Sequence, residues 1–439
     1  MRSEDGRTTG AARRYRASAL DRALAPSRTV AVVGPVRGLD EKSIVAKLDE
    51  AARCATDSRI TLAPRPGAWW DHRDVDWDAA VSRLPALADA ELGQMLDSVR
   101  TRPGYRQPLE VVICGDHLVV DYSHGLGDGR LGLALLAILA GADAVDARPL
   151  ARGLTGNAVA AAIRHHFLKQ PVRVRDMLRA RSHNKAGGLV DVEPGPDSAT
   201  DSGRFGRCHT VTGFLPPGPR AAVQGWVKER HPGASRASVT IALLMAALRA
   251  EGVPVDERVS VLIDCRRYLG PENQDGFGNF AVAVPVLMPP NATPVEVTRH
   301  VRTVTDSGWP IAVLAVAEIK SRLPGRRRDA PQASDDADSE TTGTTDVTPA
   351  RMRLSVSDLG TLSTFGHLDW ASGRPPQVAA YLEPDGPDAI TVLADELQGG
   401  RTFAASFWDG ALSAGVVERA LDRICSDPVG VLNGIREGR

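Results

Sequence analysis

The sequence is poor in several features that would give its function away. Its five cysteines, Cys54, Cys114, Cys208, Cys265 and Cys425, are far apart and form no Cys-x-x-Cys pair. This spacing disfavours a zinc site or a disulfide framework and favours a reducing compartment. There is no excess charge of either sign, with 53 Lys and Arg against 54 Asp and Glu, so nothing points to nucleic acid. No apolar run is long enough to cross a bilayer. Residues 30–33, the first apolar run after a polar start, are too short for a signal-peptide core. A cytoplasmic protein is expected. Gly34-Pro35-Val36-Arg37-Gly38 is not followed by Gly-Lys-Ser/Thr, so it is no phosphate loop. No Gly-x-Ser-x-Gly elbow is present, which disfavours a serine hydrolase of that fold.

What is present is globular material, 43% hydrophobic and 24% charged over 439 residues, enough for two or three domains. Residues 28–33 read as a strand and 41–55 as an amphipathic helix with Asp40 as candidate N-cap. Residues 59–62 read as a short strand. Residues 109–114 and 117–123 read as strands joined by Gly115-Asp116, a hairpin signal, and an apolar helical run follows over 131–140. A long basic helix over 155–181 is kinked or split at Pro171. Residues 182–204, rich in Gly, Ser, Asp and Pro, read as the connection between an amino-terminal half, 1–181, and a carboxy-terminal half, 205–439. In the second half, helices are expected over 217–230, 235–251 and 294–322, the last interrupted at Pro310, with strands over 259–264 and 280–287. Residues 324–349, which open on Arg326-Arg327-Arg328, have almost no apolar side chains and read as a disordered, solvated loop. Strands follow over 353–357, 377–382, 389–394 and 401–408, then a helix over 413–425. The expected fold class is α/β, mixed α+β in its layering.

The chemistry concentrates in Ser123-His124-Gly125-Leu126-Gly127-Asp128-Gly129, where a strand delivers a histidine at its exit. An imidazole that titrates near neutrality suits a general base. The glycines allow a tight backbone and close approach. A histidine near a buried aspartate is more often a satisfied core pair, so the motif needs context. Two further blocks supply it: Asp264-Cys265-Arg266 followed by Gly278-Asn279-Phe280, and Ser355-Val356-Ser357-Asp358-Leu359-Gly360. Other groups are weaker. His165-His166 has no aspartate at the needed spacing and reads as a helix face. Trp69-Trp70 and Trp77 read as packing and loop anchors.

In this order the three blocks resemble the chloramphenicol-acetyltransferase-like superfamily. It includes nonribosomal peptide condensation domains, BAHD acyltransferases, wax ester synthases and polyketide-associated acyltransferases. The matches are His-x-x-x-Asp-Gly at His124, Asp128 and Gly129, Asp-x-Arg and then Gly-Asn at Asp264, Arg266, Gly278 and Asn279, and a strand end similar to Ser-Asn-x-Gly with Asp358 in place of Asn. The resemblance runs from about Arg28 to Cys425. Ser123 stands where condensation domains carry a first histidine, and Gly276-Phe277-Gly278-Asn279 only approximates the BAHD Asp-Phe-Gly-Trp-Gly, so a bacterial branch is preferred.

The resemblance implies two similar halves in a V-like arrangement with a tunnel between them. It implies an acyltransferase that moves an acyl group from a thioester, acyl-CoA or an acyl carrier protein, to a hydroxyl or amine of a small molecule in specialised metabolism. No cofactor is implied beyond the donor's own phosphopantetheine, and no metal. His124 is the implied general base. Asp128 and Arg266 form the implied structural pair, with Arg267 as the other possible partner. Gly129, through its N–H, is a candidate oxyanion donor, and Asn279 and Ser123 are candidate binding residues. Two alternatives stay open: a condensation-type amide-bond former working on carrier-bound substrates, and a non-catalytic binding member of the same fold.

Overall fold

In a computed structural model, the described residues are 14–437 apart from 55–57, 88–89, 142–145, 152, 155–156, 169, 185–206, 272–273 and 323–350. Among them, thirteen strands run in the order β1 (Arg14–Arg16), β2 (Arg28–Gly34), β3 (Trp69–Asp71), β4 (Val81–Arg83), β5 (Leu109–Cys114), β6 (His117–Ser123), β7 (Cys208–Leu215), β8 (Arg258–Asp264), β9 (Ala281–Leu287), β10 (Arg353–Thr361), β11 (Gln377–Tyr381), β12 (Ala389–Leu397) and β13 (Gly400–Trp408). They form a two-stranded ribbon, β1-β3, a five-stranded sheet, β11-β2-β6-β5-β4, and a six-stranded sheet, β7-β13-β12-β10-β8-β9. With the helices between them this is a mixed α/β fold. No helix among the described residues is long and apolar enough to cross a membrane.

The chain forms two compact units that interleave in sequence. The first comprises Met1–Gly156, Pro271–Phe280 and Leu362–Tyr381, and the second the remainder. The boundary near residue 181 expected from composition therefore differs from the observed one. Residues 158–163 and 172–184 are helices of the second unit, and Asn184 accepts a hydrogen bond from the backbone N–H of Leu287 at 2.7 Å. Conversely, β11 returns to the first unit and pairs antiparallel with β2, Gln377 opposite Gly34. Such long-range ladders leave no local composition signal. Residues 185–204 of the expected connection and the whole of 324–349 lie outside the described residues.

In the first unit the β5–β6 hairpin turns at Gly115, whose φ of 61° suits glycine, and pairs Leu109 with Tyr122 and Cys114 with His117. On its other side β6 pairs with β2, Arg28 opposite Ser123. The helix Gly129–Leu139 packs on β2 and β6 through its apolar residues. Asp121, fully buried within β6, is held by Arg28 at 2.6 Å and by Arg106. Asp40 caps its helix as expected, with its carboxylate accepting from the Ser43 N–H at 2.9 Å. Residues 59–62 are not a strand. Arg59–Thr61 is a 3-10 turn in which the Thr61 hydroxyl donates to the Ser58 carbonyl at 2.9 Å, and only Leu62 makes a bridge, to His72.

In the second unit, Val259, Val261, Ile263, Leu354, Val356, Ile390 and Val392 share one apolar core with the helices Arg236–Ala250 and Ala414–Ser426. Two helices differ from expectation. The stretch over 294–322 breaks at Gly308, whose φ of 77° ends the helix Pro294–Ser307, while Pro310 sits in the first turn of Trp309–Arg322, where a missing N–H is tolerated. A last helix, Pro428–Glu437, was not anticipated.

Candidate active site

β6 ends at Ser123, and the chain turns at once into the 3-10 turn His124–Leu126. Ser123 builds that turn. Its hydroxyl accepts from the Gly125 N–H at 3.3 Å and donates to the Ala25 carbonyl at 2.8 Å. The His124 N–H donates to the Ser27 carbonyl at 2.8 Å. Gly125 permits the closeness of these strands of chain, because a Cβ there would sit 3.0 Å from Ala25 Cα and from the Trp70 ring. Asp128 then caps the helix Gly129–Leu139, one carboxylate oxygen accepting from the Arg130 N–H at 3.2 Å and the other from the Phe280 N–H at 3.1 Å. It thus ties the segment carrying Asn279 to the histidine turn. Gly129 is the first, exposed residue of that helix.

The His124 ring is half-buried, and its Nδ1 lies 3.0 Å from Asn279 Oδ1. Gly278, at φ 150°, swings the chain so that Asn279 points inward, where it is buried. The Asn279 amide nitrogen donates to Asp21 Oδ1 at 2.9 Å and to the His124 carbonyl at 2.8 Å. Asp21 in turn accepts from Arg59 Nη2 at 2.8 Å, the Tyr15 hydroxyl at 2.8 Å and the Ser18 N–H at 3.1 Å. Arg59 completes the enclosure. It donates to the carbonyls of Gly125, at 3.0 Å, and Leu126, and to the Tyr15 hydroxyl. Asp21 and Arg59 are each 2% exposed.

The electrostatics follow from this enclosure. Burial opposes a charge on Asp21, but Arg59 and the hydrogen bonds from Asn279, Tyr15 and the Ser18 backbone overcome it and hold the carboxyl below the usual carboxylate range. Burial likewise pushes the Tyr15 hydroxyl up to about 12. Asp21 is therefore an anion at neutral pH, and Tyr15 a neutral donor.

Of the residues singled out from sequence, His124, Asp128, Asn279, Ser123 and Gly129 gather in the first unit. Arg266 belongs to the second. It is buried in the 3-10 turn Cys265–Tyr268, where its N–H and Nη1 donate to Asp264 Oδ1 at 2.9 and 3.1 Å. Arg267 is exposed. Asp358 pairs with Arg401 and accepts from the Thr240 hydroxyl at 2.8 Å. Trp70 and Trp77 are buried anchors, and Trp69 is half exposed. His166 packs against Tyr268 in a π-helical turn. No cluster of three or more His, Cys, Asp or Glu that could hold a metal is found among the described residues. Sequence reasoning missed Tyr15, Asp21 and Arg59. The one local signal was the serine-aspartate capping box at Ser18 and Asp21, which announces a helix start and nothing more.

No protein-family model matches the chain, and no curated protein sequence does. Solved structures match it end to end. A trichothecene 15-O-acetyltransferase from Fusarium sporotrichioides superposes with a TM-score of 0.58 at 12% identity, over 96% of each chain. The condensation domain of the monacolin K polyketide synthase superposes with a TM-score of 0.57 at 15% identity, over 97% of this chain and 98% of that one. The fold is chloramphenicol-acetyltransferase-like. The same chloramphenicol-acetyltransferase-like fold is found in the epimerization domain from the third module of tyrocidine synthetase B, with a TM-score of 0.56, 12% identity and coverage of 95% and 94%. Acetyl transfer, condensation and epimerization thus appear among its neighbours, so the chemistry of this chain has to come from its own site.

Proposed function

We propose that this protein is an acyltransferase that moves an acyl group from a thioester to a hydroxyl or amine of a small molecule, with His124 as general base. The observation that carries the proposal is the support of His124. Its ring stands half-buried at a strand exit, tied at one nitrogen to Asn279, with a buried ion pair behind it. A histidine that served only to fill a core would not need such a scaffold. A thioester requires little activation, so the task is to bring acceptor and donor together and remove one proton. As the acceptor oxygen or nitrogen bonds to the acyl carbon, its proton passes to His124. The tetrahedral intermediate then collapses, the C–S bond breaks, and the thiolate takes the proton back. We assign the Gly129 N–H, at the start of an eleven-residue helix, as a donor to the developing oxyanion. The donor is a substrate, either acyl-CoA or an acyl carrier protein, and no further cofactor enters. We place the protein in the reducing cytoplasm, on the five widely spaced cysteines with no Cys-x-x-Cys pair.

The test is thiol release from a panel of acyl-CoA and acyl-carrier donors with mixed acceptors, followed by mass spectrometry of the products. Acylated acceptor with one donor class, lost in His124→Ala, supports the assignment. Acylated acceptor from His124→Ala at the wild-type rate overturns it.

A further inference from the structure

Asn279 has two faces, and its surroundings admit one orientation. On one side lie acceptors only, Asp21 Oδ1 at 2.9 Å, the His124 carbonyl at 2.8 Å and the Gly125 carbonyl at 3.4 Å. On the other lies His124 Nδ1 at 3.0 Å. With the amide nitrogen toward the acceptors, every contact has a donor. With the amide turned over, its oxygen would face the carboxylate and the two carbonyls, leaving buried groups unsatisfied. Asp21 cannot relieve that by moving, since Arg59, Tyr15 and the Ser18 N–H hold it. Nor can the turn, since Arg59 also holds the carbonyls of Gly125 and Leu126. Asn279 Oδ1 therefore has to face His124 Nδ1, and an oxygen there can only accept.

We propose that Asn279 is a positioning residue: oriented by Asp21 and Arg59, it accepts the Nδ1–H of His124 and leaves Nε2 as the basic nitrogen. The role of Asp21 is indirect. Its negative charge acts on the amide, and the amide acts on the ring, so the amino-terminal segment carrying Tyr15, Ser18 and Asp21 becomes part of the machinery. The consequence for catalysis rests on the reading of His124 as base. The tautomer does not.

The test uses the full chain labelled with 15N in its histidine rings, at mildly alkaline pH, with long-range 15N–1H NMR. His124 is assigned as the signal missing from His124→Ala. In the wild-type protein Nδ1 should carry the proton and Nε2 should be unprotonated. In Asn279→Ala, and in Asp21→Asn, the ring should shift toward the Nε2–H form. Turnover should then fall roughly tenfold to a hundredfold, with KM little changed. A wild-type His124 protonated on Nε2 overturns the proposal without any variant, so it stays open to refutation even if the variants do not fold. An unchanged ring signal in a folded Asn279→Ala also overturns it. An Nδ1–H wild type combined with an active His124→Ala leaves the tautomer lock standing and removes only the general-base reading.

Discussion

Two buried aspartates, one from each compact unit, behave in opposite ways. Asp21, in the first unit, is 2% exposed and accepts from Arg59, Tyr15, Asn279 and the Ser18 N–H. Asp395, in the second, is 1% exposed, and its Oδ1 has no partner among the described residues. The first is held below the ordinary carboxylate range. The second is raised well above it, by burial first and by the nearby Asp358, with Arg401 opposing. Burial alone therefore does not decide the charge of a carboxyl here; the donors around it do. A charged Asp21 can orient an amide, whereas burial disfavours a charge on Asp395.

The comparison can be broken most severely by Asp21→Ala. It leaves Arg59 buried without its partner and should destabilise the fold by about 3–5 kcal/mol in denaturant unfolding. A loss below about 1 kcal/mol would place the pair with ordinary surface ion pairs.

pH separates the two aspartates by sign. Asp21 has a depressed folded pKa, so its stability is fully present above the ordinary carboxylate value, about 3.9, and is lost as pH falls below that toward the folded value. Asp395 has a raised folded pKa. Its native state retains a proton that the unfolded chain releases, so its contribution worsens as pH rises above about 3.9. Asp395→Asn should therefore raise the melting temperature at neutral pH, and the gain should vanish in acid. A variant that is less stable than wild type at pH 7 contradicts the account of Asp395.

Two glycines give smaller effects. In the first unit a Cβ on Gly132 would meet the Tyr122 hydroxyl at 2.8 Å, so Gly132→Ala should cost about 1–3 kcal/mol by overpacking. In the second, Gly225 lies exposed in the helix Pro217–Arg230 with nothing within 4 Å of its missing Cβ. Gly225→Ala should stabilise by about 0.4–1 kcal/mol, read from the same unfolding curves.

What could be read from sequence follows the range of the forces involved. The β5–β6 hairpin, its Gly115 turn, the helix after it and most of the later strands carry local periodicity and turn chemistry, and they stand close to where those patterns put them. His124, Asp128 and Asn279 were legible because they sit in short motifs at element ends. Asp21 and Arg59 were not, since residues 38 positions apart share no period or turn. Arg59, placed between apolar neighbours, even imitates a strand, while its side chain is in fact the inward clamp of a 3-10 turn. The pairing of β11 with β2 is hidden for the same reason, because strands joined only by long-range hydrogen bonds leave no mark near either one.

The central claim, that the turn at the end of β6 presents a general base, is tested most directly by thiol release from a donor the wild-type protein accepts, measured for His124→Ala alongside it. Turnover reduced on the order of 10²–10⁴-fold in a folded variant is the predicted result. Equal turnover in the two proteins would contradict it.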